Sequence, residues 1–539
     1  MKRKNIVAAF ILTMPIGMAA QSAIDAYNLT PTELRGTARF VGMGGAFTSL
    51  GGDLSTMTQN PAGLGVYRRS EIGTSFDVSI QKYNTATQSN AIKLDQTKVL
   101  FDNFGYIGAY NFDSGALRTF SWGFGYNRIT NFQRLMSGYN ASTATSLSNY
   151  IAAYTNGINS DAIGFADGYN PYQNSGEDWL SILAYNSYMI NNNPGTKDSY
   201  SGLYNGQTQG DALYKMRESG YVDEYNIQFG GNVSDVFYWG LGVGIQDLNY
   251  TREILYSESM ADATIYSTKT SGLVKGNAGF DLDNLKTISG TGANIKFGVI
   301  IRPIDFLRVG AAIHTPTWFH LNHQGDAVLN YSYYNPSQPE DRDNPLSGEE
   351  HTDWFDYDSR LTTPWRFMVG ASAVIGQTAI VSVDYERVAY NDMSVKRQNY
   401  DGYFGSSFVS DDNVNSDIKT YYQAANIVRA GLELRVVPQF SIRAGYNVQS
   451  SNVRSGASDG QAEIFTSGTD PSYSFNKTTQ NICFGVGYRY KAWYLDLTYQ
   501  WRHRTSDFHA YTDFNGQSAP TARLTENHHN LIFSTGFKF

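Results

Sequence analysis

Leu531-Ile-Phe-Ser-Thr-Gly-Phe-Lys-Phe539 sets Leu531, Phe533, Thr535, Phe537 and Phe539 on one face of an extended chain and Ile532, Ser534, Gly536 and Lys538 on the other. A strand that stops on a terminal aromatic leaves no room for a cap or a following helix. It is expected to be satisfied by pairing with a neighbour, as the last strand of a barrel is.

The same alternation recurs upstream. In Glu71 to Gln81, Ile72, Thr74, Phe76, Val78 and Ile80 share one face, and Glu71, Gly73, Ser75, Asp77, Ser79 and Gln81 share the other. Comparable segments begin near Phe104, Phe120, Tyr225, Trp239, Ile295, Leu307, Trp365, Val381, Val428, Ile442, Ile482 and Leu495. With the terminal strand this predicts an all-β fold, a transmembrane antiparallel β-barrel of about fourteen strands. Short turns at 113–115, 234–235, 303–305, 376–377, 437–439 and 491–492 alternate with long polar stretches at 82–100, 129–223, 251–292, 316–364, 389–425, 450–480 and 503–528. Short turns on one side of a membrane and long loops on the other have this rhythm, and with both ends on the short-turn side the strand number is even. A soluble β-sandwich also alternates, but it leaves neither the aromatic-rich outer faces nor the regular swing in loop length explained. Within the second long loop, Trp179, Leu180, Ile182, Leu183 and Tyr185 have helical spacing. Two readings stand: packing within the loop, or an apolar landing site for a ligand.

Met1-Lys-Arg-Lys4, the apolar run Ile6 to Met18 and Ala19-Ala20-Gln21 have the three regions of a secretory signal peptide, so residues 1–20 are expected to be removed. No cysteine stands near that site to carry a lipid anchor. Beyond it no apolar run is long enough for a membrane helix. The composition fits strands that are apolar on every second residue: of 539 residues, 39 are Tyr, 30 Phe and 52 Gly, and charged residues make up 17%. A formal net charge of -8 argues against a nucleic-acid partner, whose phosphates call for a basic surface. The single cysteine, Cys483, leaves no internal disulfide, zinc-ribbon or dithiol chemistry.

Residues 21–70 are not strand-like. Ala38-Arg-Phe-Val-Gly-Met-Gly-Gly-Ala-Phe47, Gly51-Gly52-Asp53 and Gln59-Asn-Pro-Ala-Gly-Leu-Gly65 mix small, apolar and turn-forming residues. Gly42-Met43-Gly44-Gly45 is a weak match to a dinucleotide loop, with no βαβ unit around it. A flexible leader is the plain alternative, and a compact plug threaded through the lumen of the 71–539 barrel is the other. Arg39 through Asp53 to Asn60-Pro61-Ala62, directly before the first strand, resembles the N-terminal hatch of the FadL family of outer-membrane transporters for long-chain fatty acids and other hydrophobic compounds. Leu307 to Pro316, Thr363 to Phe367 and Val383 to Glu386 are similar to that family's barrel strands. The resemblance implies a fourteen-stranded barrel closed by a hatch inside the lumen. Ligand would be captured by outer loops, held in an interior pocket and released sideways through the wall. Asn60, Pro61 and Ala62 would be the hatch motif and Asp53 its acidic position, while the longer loops of this chain depart from the family's pattern.

Strand parity turns Lys296, Arg302, Arg308, His314, Arg366, Arg429, Arg435, Arg443 and Arg489 inward, against Asp384, Glu386, Glu433 and Asp496. Each Arg has two readings: an ion pair that fastens hatch to wall, or a bidentate hold on an anionic ligand headgroup. Arg366, Arg443 and Arg308 are the candidate substrate contacts. His320, His323 and His528-His529 lack the partners of a metal or nucleophilic site, so no metal, cofactor or catalytic residue is expected. The hatch is too short for the plug of an energy-coupled transporter.

The expected function is passive uptake of hydrophobic compounds such as fatty acids, by capture, hatch rearrangement and lateral release. The alternative is a barrel whose long loops serve surface recognition or adhesion. Expected partners are the hydrophobic ligand, outer-membrane lipid and the barrel-assembly machinery, which would read the C-terminal strand. The expected state is a monomer in a Gram-negative outer membrane, with both termini periplasmic.

Overall fold

The computed structural model describes residues 21–539 apart from 377, 402–404, 460 and 461. The predicted signal peptide and half of the predicted turn at 376–377 therefore lie outside the described residues. Fourteen antiparallel strands close into a barrel. In order they are β1 (Glu71–Ala86), β2 (Ala91–Asn111), β3 (Leu117–Asn131), β4 (Gln209–Val233), β5 (Phe237–Ser267), β6 (Gly272–Ile304), β7 (Leu307–His314), β8 (Arg366–Ile375), β9 (Ala379–Val388), β10 (Ala425–Val437), β11 (Phe440–Gln449), β12 (Tyr473–Tyr490), β13 (Trp493–His509) and β14 (Thr521–Lys538). Each pairs with the next in the chain, and β14 returns to β1 with Phe537 opposite Ile72. Closure is sealed where Ser70 and Phe539 exchange both backbone hydrogen bonds at 3.0 Å and Lys538 Nζ lies 2.9 Å from Glu71 Oε2.

The barrel is inside-out, as the alternation requires. Ile72, Phe76, Val78, Ile80, Leu531 and Phe533 are exposed on the outer surface, whereas Ser75, Asp77, Ser79, Gln81 and Ser534 are buried within. Burying polar side chains is tolerated because they bond one another, as Ser79 Oγ does to Asn530 Oδ1 at 2.7 Å. Exposed aromatics ring the Phe539 end, among them Tyr110, Phe306, Tyr490, Trp493 and Phe539, as an interfacial belt does.

At the opposite end the structure differs from the sequence reading. Much of the stretches 82–100 and 251–292 is strand: β1 and β2 turn over at residues 87–90, and β5 and β6 extend together to Ser267 and Gly272. Beyond the apolar band the two faces exchange character: Ile254, Tyr256, Met260, Phe280 and Leu282 turn inward into an apolar cluster while the outward face meets water, so the lipid-facing alternation ends while the backbone ladder continues. Trp318–Tyr334 and Phe355–Thr362 likewise prolong β7 and β8 past Pro316 and Pro364. Above this end, Leu147–Thr155 (α1) and Trp179–Asn186 (α2) pack into an apolar cluster with Tyr214, Tyr256, Phe280 and Tyr511. Leu180, Ile182 and Leu183 are buried there, which is the loop-packing arrangement of the two readings. His320 and His323 stand on opposite faces of one strand; His323 is buried, 2.8 Å from Ser359 Oγ.

Candidate functional site

Residues 21–70 fill the lumen. Their turns are made by capping side chains rather than by length. Asp53 accepts from Ser55 N at 2.9 Å and from Thr37 Oγ1 at 2.7 Å, opening the turn Leu54–Thr58. Asn60 Oδ1 accepts from Ala62 N at 3.0 Å, with Pro61 at the first position of the turn Pro61–Val66, where a missing N–H costs nothing. Asn60 Nδ2 also donates to Thr48 O at 2.6 Å, so one side chain joins two hatch turns. Asn60→Ala is expected to destabilise the hatch by about 1–2 kcal/mol, read as a lower temperature for the loss of hatch protection in limited proteolysis, while the barrel ladder persists.

The turns reach the wall because the wall is glycine where they touch it. A Cβ at Gly240 would overlap the Pro61–Ala62 peptide, and one at Gly298 the Asn60 amide. At Gly310 it would meet Thr48 O, at Gly431 Met43 O and at Gly445 Gly44 N. Gly240 and Gly298 are cross-strand partners, as are Gly431 and Gly445. Glycine thus lets backbone lie against backbone. The sequence reading passed over this belt, although inward parity combined with glycine in successive strands would have marked it.

Charged pairs fasten the same contact. Arg39 Nε donates to Glu433 at 2.8 Å, and Arg443 bonds Glu433 at 2.7 Å and Asp496 at 2.6 Å. Thr48 N donates to Asp384 at 2.7 Å, Arg308 Nη1 to Leu50 O at 2.7 Å, and His314 Nε2 lies 2.8 Å from Gln59 O.

Between residues 27–36 of the hatch and the wall lies a cavity of about 200 Å³. Leu34, Phe40, Phe132, Val222 and Ile427 supply apolar wall; Arg366, Arg429, Arg502, Arg504, Asn127 and Asn481 supply polar wall. Arg366 Nε donates to Glu386 at 2.6 Å, and Arg429 Nη2 bonds the other oxygen of the same carboxylate. Two guanidiniums therefore share one buried anion, and Arg429 Nη1 has no hydrogen-bond partner among the described residues. Of the three predicted contacts, Arg366 borders this cavity, whereas Arg443 and Arg308 sit lower, against the hatch. Arg502 and Arg504 were not singled out, although inward parity carried on from Gln500 would have found them. Burial alone would raise the Glu33 carboxyl, but Arg502 and Arg35 beside it hold it below the ordinary carboxylate range, so this hatch residue stays charged.

The cavity abuts an interruption in the wall. β2 and β3 pair only from Asn111↔Thr119 to Asn103↔Asn127; above that, β2 pairs with β1 alone, and β3 with its continuation Arg134–Thr143 pairs with β4 alone. The register of β3 shifts between Arg128 and Thr130, and opposite the kink Gly220 takes φ +119, where any Cβ would strike Asn249 O. The seam closes higher up, where Tyr83 OH donates to Gln133 O at 3.0 Å and Thr87 Oγ1 to Tyr139 O at 2.7 Å. What remains is a window. On its outer flank Val99 is 73% exposed, against 37% for Val78 on the fully paired β1, because no strand covers its side. On its inner side the hatch lies close: Thr130 Oγ1 donates to Pro31 O at 3.3 Å, Asn131 N to Glu33 Oε2 at 3.2 Å, and Arg35 pairs with Asp102 and Asp77.

No family model and no curated relative matches the sequence. Among solved structures, a Pseudomonas aeruginosa FadL homologue is similar over 95% of this chain and 100% of its own, at 12% identity and a TM-score of 0.51. The deltaS2 mutant of the TodX monoaromatic hydrocarbon channel is similar over 94% of this chain and 100% of its own, at 13% identity and a TM-score of 0.50. The chain has the fold of the FadL-type barrels.

Proposed function

We propose that this protein is a passive outer-membrane channel that takes up hydrophobic compounds and releases them sideways into the bilayer. The observation that carries the reading is the window between β2 and β3, joined on the inside to a cavity and on the outside to the apolar belt. Each CH₂ moved into water costs about 0.8 kcal/mol, so an apolar cargo needs a route that never returns it to water. A lateral exit meets that need, whereas a straight aqueous pore does not. The hatch turns from Met43 to Ala62 lie against the wall below the cavity, so the axial route is occupied. The similar fold of a monoaromatic hydrocarbon channel supports a hydrophobic cargo.

The finer reading is an amphipathic cargo such as a fatty acid, whose anionic head Arg366 and Arg429 would hold. The pair offers two fixed forks to one shared carboxylate and so retains donors for a second anion. The hatch, with Asp53 and Asn60-Pro61-Ala62 shaping its turns, would shift to let cargo pass the Arg35–Asp102 pair. The rim that carries Ser70 and Phe539 would face the periplasm.

The test is uptake of a fluorescent long-chain fatty acid by cells carrying Ile129→Trp, which places an indole in the window. Expected is a loss of most uptake with normal surface expression, and no loss when Trp replaces a lipid-facing residue away from the window, such as Val383. Undiminished uptake through the filled window would overturn lateral release.

A further inference from the structure

A second cavity lies outside the transport path, at the outer end of the molecule, where α1 meets the connections before β12 and after β13. Its volume is about 460 Å³, within the range of sites for small ligands. One wall is aromatic: Tyr150 meets Tyr154 at 5.2 Å and Phe514 at 5.7 Å edge-on, and is backed by Tyr511 stacked at 5.5 Å. Across from it Tyr473 stacks on His509 at 4.8 Å and 8°. Rings that pack on one another in this way are held rigid before any ligand arrives.

Two carboxylates stand at the rim, Glu463 and Asp513, both exposed. Among the described residues neither has an ion-pair partner and no Lys or Arg lines the cavity. The Asp513 carboxylate is held in place, its Oδ1 accepting from Ala519 N at 2.9 Å, and the backbone of Glu463 is held where its carbonyl O accepts from Tyr421 OH at 2.8 Å. Thr512 Oγ1 donates to Ile464 O at 2.7 Å and ties the two connections together. The cavity is thus a preformed aromatic recess with two uncompensated negative charges at its mouth.

We propose that this recess binds a methylated ammonium group. Ring faces carry negative quadrupole charge and attract a cation whose methyl shell sheds water easily. The carboxylates add long-range attraction that a neutral ligand would not use. A primary ammonium would keep its strong hydration, whereas a quaternary one gains from the rings and loses little. The group reaches the site either free or as the head of a lipid.

The experiment uses the whole folded barrel in a polyoxyethylene detergent, which carries neither sugar nor ammonium. Choline is titrated against intrinsic fluorescence beside neohexyl alcohol, its uncharged carbon analogue, and maltose. Saturable choline binding is expected, with the carbon analogue weaker by about tenfold. Glu463→Gln with Asp513→Asn should weaken choline by a similar factor, and both positions are exposed, so the barrel keeps its heat-resistant migration on gels. Tyr150→Leu should abolish the signal. Dihexanoylphosphatidylcholine below its micelle concentration separates the two sources: tighter binding than choline marks a lipid head, equal or weaker binding a free ammonium. Equal affinity for the carbon analogue, a preference for maltose, or an unchanged double variant would overturn the proposal.

Discussion

Gly240→Val is expected to unseat the hatch. The added side chain would occupy the space of the Pro61–Ala62 peptide, and because the obstacle is backbone, no rotamer change relieves it. Overpacking of this kind costs about 1–3 kcal/mol, which multiplies the population with a displaced hatch by roughly 5 to 150. The expected readout is a rise in ion conductance across planar bilayers, together with sensitivity of cells to large hydrophilic antibiotics that the plugged lumen excludes. Gly298→Ala tests the mechanism from the other side, since its Cβ would strike the Asn60 side chain and otherwise meets Ala311 O at 3.3 Å. Alone it should leak. Combined with Asn60→Gly it should leak no more than Asn60→Gly does, because contacting residues couple rather than add. An unchanged conductance in Gly240→Val would mean that the hatch does not bear on the wall at the Asn-Pro-Ala turn.

Glu386→Ala should be the most destabilising single change in the lumen. The carboxylate is fully buried and is the ion-pair partner of both Arg366 and Arg429. Its removal leaves two guanidiniums uncompensated, and breaking one buried pair already costs about 3–5 kcal/mol. The measurement is the temperature at which the folded band converts to the unfolded one on gels, compared at one heating rate because barrel unfolding is a rate process. Arg366→Met, Glu386→Leu and Arg429→Met together should recover most of the loss, since a cluster replaced by apolar groups of similar volume costs little. That triple variant also separates stability from recognition. A stable barrel that no longer takes up a fatty acid but still takes up an uncharged hydrocarbon would assign the anionic head to these arginines. Equal uptake of both would assign them to scaffolding alone.

Strand number, inner and outer faces, and closure of β14 on β1 were legible in the linear chain. A bilayer imposes one rule on every residue of a spanning strand, apolar outside and polar inside, and a period of two is visible without knowing any neighbour. The Leu531 to Phe539 stretch sufficed to set that parity. The caps at Asp53 and Asn60 use residues that form caps wherever they stand, and that much of the segment is local chemistry. Where the lipid-facing alternation stopped, so did legibility: outside the lipid, β5 and β6 run on together to residues 267 and 272 with their apolar side chains, Ile254, Tyr256, Phe280 and Leu282, turned inward into the cluster of α1 and α2. The window, the cavity and the sharing of Glu386 by Arg366 and Arg429 belong to the tertiary structure alone. A register shift at Arg128 and Thr130 changes one residue's pairing and leaves composition untouched, and which inward Arg meets cargo or hatch depends on its height in the lumen. Sequence specifies the face of a residue through local periodicity; its neighbours across the lumen are set only when the barrel closes around the hatch.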